Sequence, residues 1–147
     1  MKGEYTDLTV EYDSPAWAGG GDNPPLTLDN TPMANMPRLN LQLGYRHTFD
    51  LGDYGTFAAT VDTNYKTKYY NNIETNIEGA EVPSHHISNL YLSWSSPKGM
   101  WSASAFVKNI ENKAIARMAT KGGGPNPTPT VMLNAPRTYG AALTLKY

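Results

Sequence analysis

The sequence predicts an all-β chain, an antiparallel meander of about six long strands belonging to the wall of a transmembrane β-barrel. Three observations carry that prediction. Polar and apolar residues alternate strictly over segments longer than an ordinary globular strand. Short and long connections between those segments also alternate along the chain. Composition agrees: Tyr (10), Gly (13) and Pro (11) are plentiful, while 39% of the 147 residues are hydrophobic and 17% charged, a balance suited to strands and turns rather than a helical bundle.

The clearest segment runs from Arg38 to Phe49. Leu39, Leu41, Leu43, Tyr45, His47 and Phe49 share one face, and Arg38, Asn40, Gln42, Gly44, Arg46 and Thr48 the other. Its length of about twelve residues slightly exceeds the ~9–11 that a tilted strand needs to cross a bilayer. Asp50-Leu51-Gly52-Asp53-Tyr54-Gly55 follows as a tight turn, since Gly and Asp tolerate positive φ. The next strand is expected from about Thr56 to Tyr69. It opposes Phe57, Ala59, Val61, Thr63, Tyr65, Thr67 and Tyr69 to Asp62, Asn64, Lys66 and Lys68. His86 to Ser95 groups Leu90, Leu92 and Trp94 on one face. Trp101 to Asn109 sets Trp101, Ala103, Ala105 and Val107 against Ser102, Ser104 and Lys108. Arg137 to Tyr147 sets Tyr139, Ala141, Leu143, Leu145 and Tyr147 against Thr138, Gly140, Ala142, Thr144 and Lys146. An opening strand from about Lys2 to Tyr12, with a poorer pattern, completes the set.

The connections then give the meander a direction. Those at Asp50–Gly55 and Ser96–Gly99 are short. Those at about Asp13–Pro37, Tyr70–Ser84 and Glu111–Pro136 are long and rich in Gly, Pro and Asn. Outer-membrane barrels have short periplasmic turns and long extracellular loops, so the last strand should run inward and end at the periplasmic side with Tyr147. A soluble sandwich has no reason to segregate its loops in this way. Tyr45, Phe49, Trp94, Trp101 and Tyr147 would then lie at the periplasmic interface, where amphipathic rings form a girdle. No stretch approaches the ~18 consecutive apolar residues of a membrane helix, and the mean hydropathy is −0.51. Neither argues against a barrel, whose strands show only every second residue to lipid.

Recognisable catalytic chemistry is sparse. The net charge of −1 gives a nucleic-acid partner no electrostatic support, and the lack of cysteine excludes disulfides and thiolate metal sites. His85-His86 is the only metal-like feature, and neighbours on a strand point to opposite faces, so the pair chelates poorly. Asp50 and Asp53 are explained by turn chemistry rather than as calcium ligands with Glu11. Lys121-Gly122-Gly123-Gly124-Pro125-Asn126-Pro127 lacks the Lys-Ser/Thr ending of a phosphate-binding loop. No metal site, cofactor or enzymatic constellation is expected.

Several segments resemble the C-terminal end of TonB-dependent outer-membrane receptors. Leu28-Asp29-Asn30-Thr31-Pro32-Met33-Ala34-Asn35-Met36-Pro37 is similar to the approach to a late barrel strand. Tyr45 to Gly52 resembles a strand and its turn, and Tyr65 to Tyr70 the strand end that follows. Trp101 to Ile110 resembles the penultimate strand, with Trp101 eight positions before Asn109 and then Ile110. Ala135-Pro136-Arg137-Thr138-Tyr139-Gly140 and Leu145-Lys146-Tyr147 resemble the last strand with its terminal aromatic.

The resemblance implies that 1–147 is the C-terminal segment of a barrel of about 22 strands that holds an N-terminal plug. Met1-Lys2-Gly3-Glu4 leads straight into strand-like sequence, so plug, signal peptide and first strands are expected upstream. About six strands fall short of the eight of the smallest bacterial barrels, and this segment alone is not expected to insert stably. Tyr139, Gly140, Leu143, Leu145 and Tyr147 would form the strand that closes the barrel. The implied function is capture of a scarce ligand, such as a siderophore, a cobalamin or an oligosaccharide, and its import with TonB-coupled energy. Partners would be outer-membrane lipid, TonB through the plug region, the barrel-assembly machinery and the small-molecule ligand. Trp17, Tyr70, Arg117 and Lys121 are the loop residues best suited to stack on or pair with that ligand. A soluble β-sandwich that binds a ligand such as carbohydrate is the alternative, and a small barrel assembled from several copies a third possibility.

Overall fold

Side chains that alternate with a period of two share a face only if the backbone is extended, so the long segments form strands. The computed structural model describes residues 2–7, 32–75, 77–122 and 128–146. In chain order the strands are β1 (Lys2–Asp7), β2 (Leu39–Asp50), β3 (Thr56–Lys66), β4 (Tyr69–Tyr70), β5 (Glu81–Val82), β6 (His85–Ser95), β7 (Trp101–Lys108), β8 (Ala116–Lys121), β9 (Pro129–Leu133) and β10 (Thr138–Leu145). Six of them build one antiparallel sheet in the order β1-β2-β3-β6-β7-β10. The other four form two small hairpins, β4–β5 within the β3–β6 connection and β8–β9 within the β7–β10 connection. The large sheet is an open meander whose edges, among the described residues, are β1 and β10. No closed barrel is formed by these residues.

The register sorts the side chains into two chemically distinct faces. Tyr45, Val61, Leu90, Val107 and Tyr139 lie in one row across five strands. Next to it runs His47, Ala59, Leu92, Ala105 and Ala141, and then Phe49, Phe57, Trp94, Ala103 and Leu143. Rows on the opposite face read Gly44, Asp62, Asn89, Lys108 and Thr138, and Asp50, Thr56, Ser95, Ser102 and Thr144. Polar side chains on that face bond one another across strands, as Asn64 Nδ2 does to Asn40 Oδ1 at 2.9 Å and Asn89 Nδ2 to Asp62 Oδ1 at 2.7 Å.

The sheet has almost no core. Ala58 is its only buried hydrophobic residue among the described residues; Ile77, Ala80, Val82 and Ala119 all belong to the hairpin connections. The apolar face is open instead, with Leu43 at 51%, Tyr139 at 81% and Leu143 at 68% of full exposure. Apolar side chains exposed side by side across five strands are uncommon on a soluble monomer.

All short turns lie at one end of the meander and all long connections at the other, as alternation of lengths along antiparallel strands requires. The turn after β2 is built as expected. Asp50 Oδ1 accepts the Gly52 N–H at 2.9 Å, and a short 3-10 segment Gly52–Tyr54 leads into Gly55 at φ 91°. A Cβ on Gly55 would run into the carbonyl oxygen of Ser95. Gly55→Ala is therefore expected to cost about 2 kcal/mol, from a backbone region closed to L side chains and displacement of β6. Denaturant unfolding checks it; an unchanged midpoint would refute it.

Strand ends depart from the expectation in one instructive place. β3 ends at Lys66, not Tyr69. The Thr67 N–H still reaches Leu39 O at 3.0 Å, and side chains complete the end of the ladder: Thr67 Oγ1 accepts the Leu39 N–H at 2.9 Å, and Ser84 Oγ accepts the Lys68 N–H at 3.2 Å. The chain turns, and Tyr69 and Tyr70 start a separate hairpin. At the other strands the ends agree within one or two residues. The expected continuation of β1 to Tyr12 and the terminal Tyr147 lie outside the described residues.

Candidate functional site

The described parts of the β3–β6 and β7–β10 connections fold into a structure of their own at one end of the sheet, held by asparagines. Asn71, just after β4, is buried at 4% exposure. Its Nδ2 donates to Gly79 O at 2.9 Å and to Ala116 O at 3.1 Å, while its Oδ1 accepts the Ala119 N–H at 3.1 Å. Asn72 Nδ2 adds a bond to Ala119 O at 2.6 Å. One amide thus ties the β4–β5 connection to strand β8, and Ile77, Ala80 and Ala119 close into a small apolar cluster.

Asn109 does the same work at the end of β7. It takes φ 53°, a left-handed conformation that asparagine tolerates better than most residues. Its Nδ2 donates to Lys113 O and Ala135 O at 3.0 and 3.1 Å, joining both ends of the β7–β10 connection. Two residues on, Glu111 Oε2 accepts the Ser88 N–H at 2.9 Å, and Oε1 lies 3.6 Å from His86 Nε2. Desolvation raises the Glu111 pKa, but the hydroxyl and backbone N–H of Ser88, its own N–H and the charge of His86 outweigh it, leaving the carboxyl below its ordinary value.

Between these two knots, polar-face residues of β3 and β6 meet the hairpins. Lys66 pairs with His85 across the β3–β6 ladder. Lys66 Nζ lies 5.9 Å from the Tyr69 ring centroid, and the His85 ring 6.0 Å from it. His85 is buried, and its Nδ1 lies 2.8 Å from Pro83 O. A carbonyl only accepts, so Nδ1 carries a proton in that contact. Burial pushes the Tyr69 pKa above its ordinary value although the positive charge of Arg117 opposes this, so the hydroxyl stays protonated at neutral pH.

Comparison with protein-family models, with curated proteins and with solved structures finds no match to this chain.

The expected vestibule residues do not form one site. Trp17 lies outside the described residues. Tyr70 is half-buried on β4 and its hydroxyl donates to Glu81 Oε2 at 3.3 Å, with Lys68 Nζ 5.9 Å from its ring. Arg117 is exposed on β8, where its charge reaches Tyr69. Lys121, at the end of β8, lines a separate cavity of about 240 Å³ with Glu74, Ile77, Glu78 and Pro129. Of the four, only Arg117 joins the cluster around Tyr69. Lys66, Tyr69 and His85 were missed because their meeting depends on the β3–β6 register and on the turn at Thr67.

On β10, Tyr139, Leu143 and Leu145 lie on the apolar face opposite Val107, Ala103 and Trp101. Gly140 lies on the other face, close beneath the Phe106 ring. His85 and His86 both belong to β6 and fall on opposite faces, and no group of three or more metal-ligating residues occurs among the described residues.

Proposed function

We propose that this chain forms wall and part of the ligand vestibule of an outer-membrane β-barrel that imports a scarce ligand with TonB-coupled energy. The observation that carries the reading is the coreless sheet: one face apolar over its rows from Tyr45 to Phe49, one hydrogen-bonded polar face, and the long connections at one end. In water such a face is unstable, whereas in lipid it needs no cover. The rows from Tyr45 to Phe49, with Trp101 and Leu145 beyond them, carry the apolar side chains, whereas toward the long connections the same face turns polar, with Thr63 bonded to Ser88 at 2.9 Å. Open edges at β1 and β10 are costly in hydrocarbon, so further strands are required to pair them. The motif series from Leu28 to Tyr147 supports the TonB-dependent class, with lipid, TonB, the assembly machinery and a small-molecule ligand as partners.

Fractionation of cells that produce the protein from its own gene tests the reading. The sequence 1–147 is expected in the outer membrane, in a species whose gel mobility shifts on heating. Recovery from the soluble fraction as a monomer indifferent to detergent would overturn the barrel and favour the sandwich.

A further inference from the structure

One stretch of the apolar face is hollow. Trp94 on β6 and Leu143 on β10 pair with Ala103 of β7 from either side, and Leu92 and Ala141 pair with Ala105 one row further on. With larger side chains on both flanks of β7, an open groove of about 560 Å³ remains, which Phe57 continues on the β3 side. Its wall is fixed, because the indole N–H of Trp94 donates to Tyr54 O at 2.8 Å and ties the ring to the turn after β2. The groove follows β7 to the short-turn end, where the Trp101–Leu145 pair comes next. A second cavity of about 430 Å³ lies there, and Trp101 lines it together with Met100, Lys98 and Asp53. The turn that carries Lys98 is held by the Gly99 N–H on Ser96 O and the Trp101 N–H on Ser96 Oγ, at 2.9 and 3.0 Å. Lys146 comes against the same turn, its N–H donating to Met100 O at 2.8 Å. Neither Lys98 nor Lys146 has a carboxylate within ion-pair distance among the described residues, Asp53 included. An apolar groove thus opens, at one end, on two cations without a counter-charge.

We infer that the groove and the two lysines form a docking site for an anionic phospholipid, with an acyl chain along β7 and the headgroup phosphate at Lys98 and Lys146. This rests on the barrel reading and goes beyond it, since general contact with lipid needs only an apolar face. A methylene chain lying between Trp94 and Leu143 gains dispersion contacts on both sides, which a bulge-free surface offers on one side only. Trp101 stands between groove and charged turn, the level at which an amphipathic indole settles in a bilayer. Lysines just outside the hydrocarbon favour acidic headgroups over zwitterionic ones. A free phosphate would meet the lysines and leave the groove empty, whereas a phospholipid occupies both.

The test uses the protein extracted in detergent from the membranes of the producing cells. Phosphatidylglycerol and phosphatidylcholine, each brominated along its acyl chains, are added in turn, and quenching of tryptophan fluorescence reads occupancy beside Trp94 and Trp101. Phosphatidylglycerol is expected to bind about tenfold more tightly, with about threefold of that lost in Lys98→Gln or Lys146→Gln and nearly all of it in the double variant. Ala103→Leu, which fills the groove floor, should weaken both lipids about fivefold and leave the headgroup preference unchanged. Lys108→Gln, on the polar face, should change nothing. Equal binding of the two lipids, or a preference that survives the double lysine variant, overturns the inference. So does quenching indifferent to Ala103→Leu, or free glycerol phosphate that competes as strongly as the lipid. Fractionation decides the barrel separately, so an outer-membrane protein without headgroup preference would refute the docking site alone.

Discussion

If the apolar face meets lipid, as proposed, Leu90→Arg is expected to destabilise the protein by about 2–4 kcal/mol, the cost of an arginine near the bilayer midplane. Leu90 lies near the middle of β6, opposite Val61 on β3 and Val107 on β7, in the apolar row of Tyr45 and Tyr139. Ser93→Arg provides the control. Ser93 lies on the other face between Ala58 and Ser104, and an arginine there reaches water at a cost under about 1 kcal/mol. Urea unfolding in lipid vesicles, followed by tryptophan fluorescence, measures both. Equal penalties, or a larger one at Ser93, would mean that the polar and apolar faces have been assigned to the wrong solvents.

Asn71→Ala should open the loop-bearing end without melting the sheet. The substitution leaves the N–H of Ala119, a residue with 0% exposure, without its acceptor and the carbonyls of Gly79 and Ala116 without a donor. Together these losses cost about 3 kcal/mol, which corresponds to roughly a hundredfold faster hydrogen exchange at Ala119 and its β8–β9 neighbours. Amides of β3 and β6 should exchange as before, because the large sheet carries its own ladder. Asn71→Asp keeps the acceptor for Ala119 but sets a buried carboxylate oxygen against the Gly79 and Ala116 carbonyls, so it should loosen the hairpins at least as much as Asn71→Ala. Exchange at Ala119 that stays at the wild-type rate would show that Asn71 does not hold the hairpins together.

The long strands and their two faces were legible in the sequence because alternation is a local property. Leu39 through Phe49 can bury or expose one face only as a strand, whatever surrounds them. The turn at Asp50–Gly55 was legible for the same reason, since positive φ and an aspartate bonded to the N–H two residues on are written in four or five residues. Asn109 shows a middle case. The sequence marked it by its spacing from Trp101, and the structure supplies the cause: a left-handed cap whose amide joins Lys113 to Ala135. The small hairpins were not legible. β4 and β5 have two residues each, and β8–β9 carries a register irregularity between Ala116 and Met118, so neither has a run long enough to show a period.

By itself, then, the sequence determined the all-β class, the apolar and polar faces, and the grouping of long connections at one end. Those follow from side-chain order along a single strand and from chain direction. Which residues meet at that end was decided by tertiary structure alone. Lys66 finds His85 through a strand register, Tyr69 comes beside them past Thr67, where side-chain bonds complete the ladder, and the β8–β9 hairpin is docked to the β4–β5 connection by Asn71. No local pattern encodes such a meeting, because its energy lies in hydrogen bonds between residues tens of positions apart.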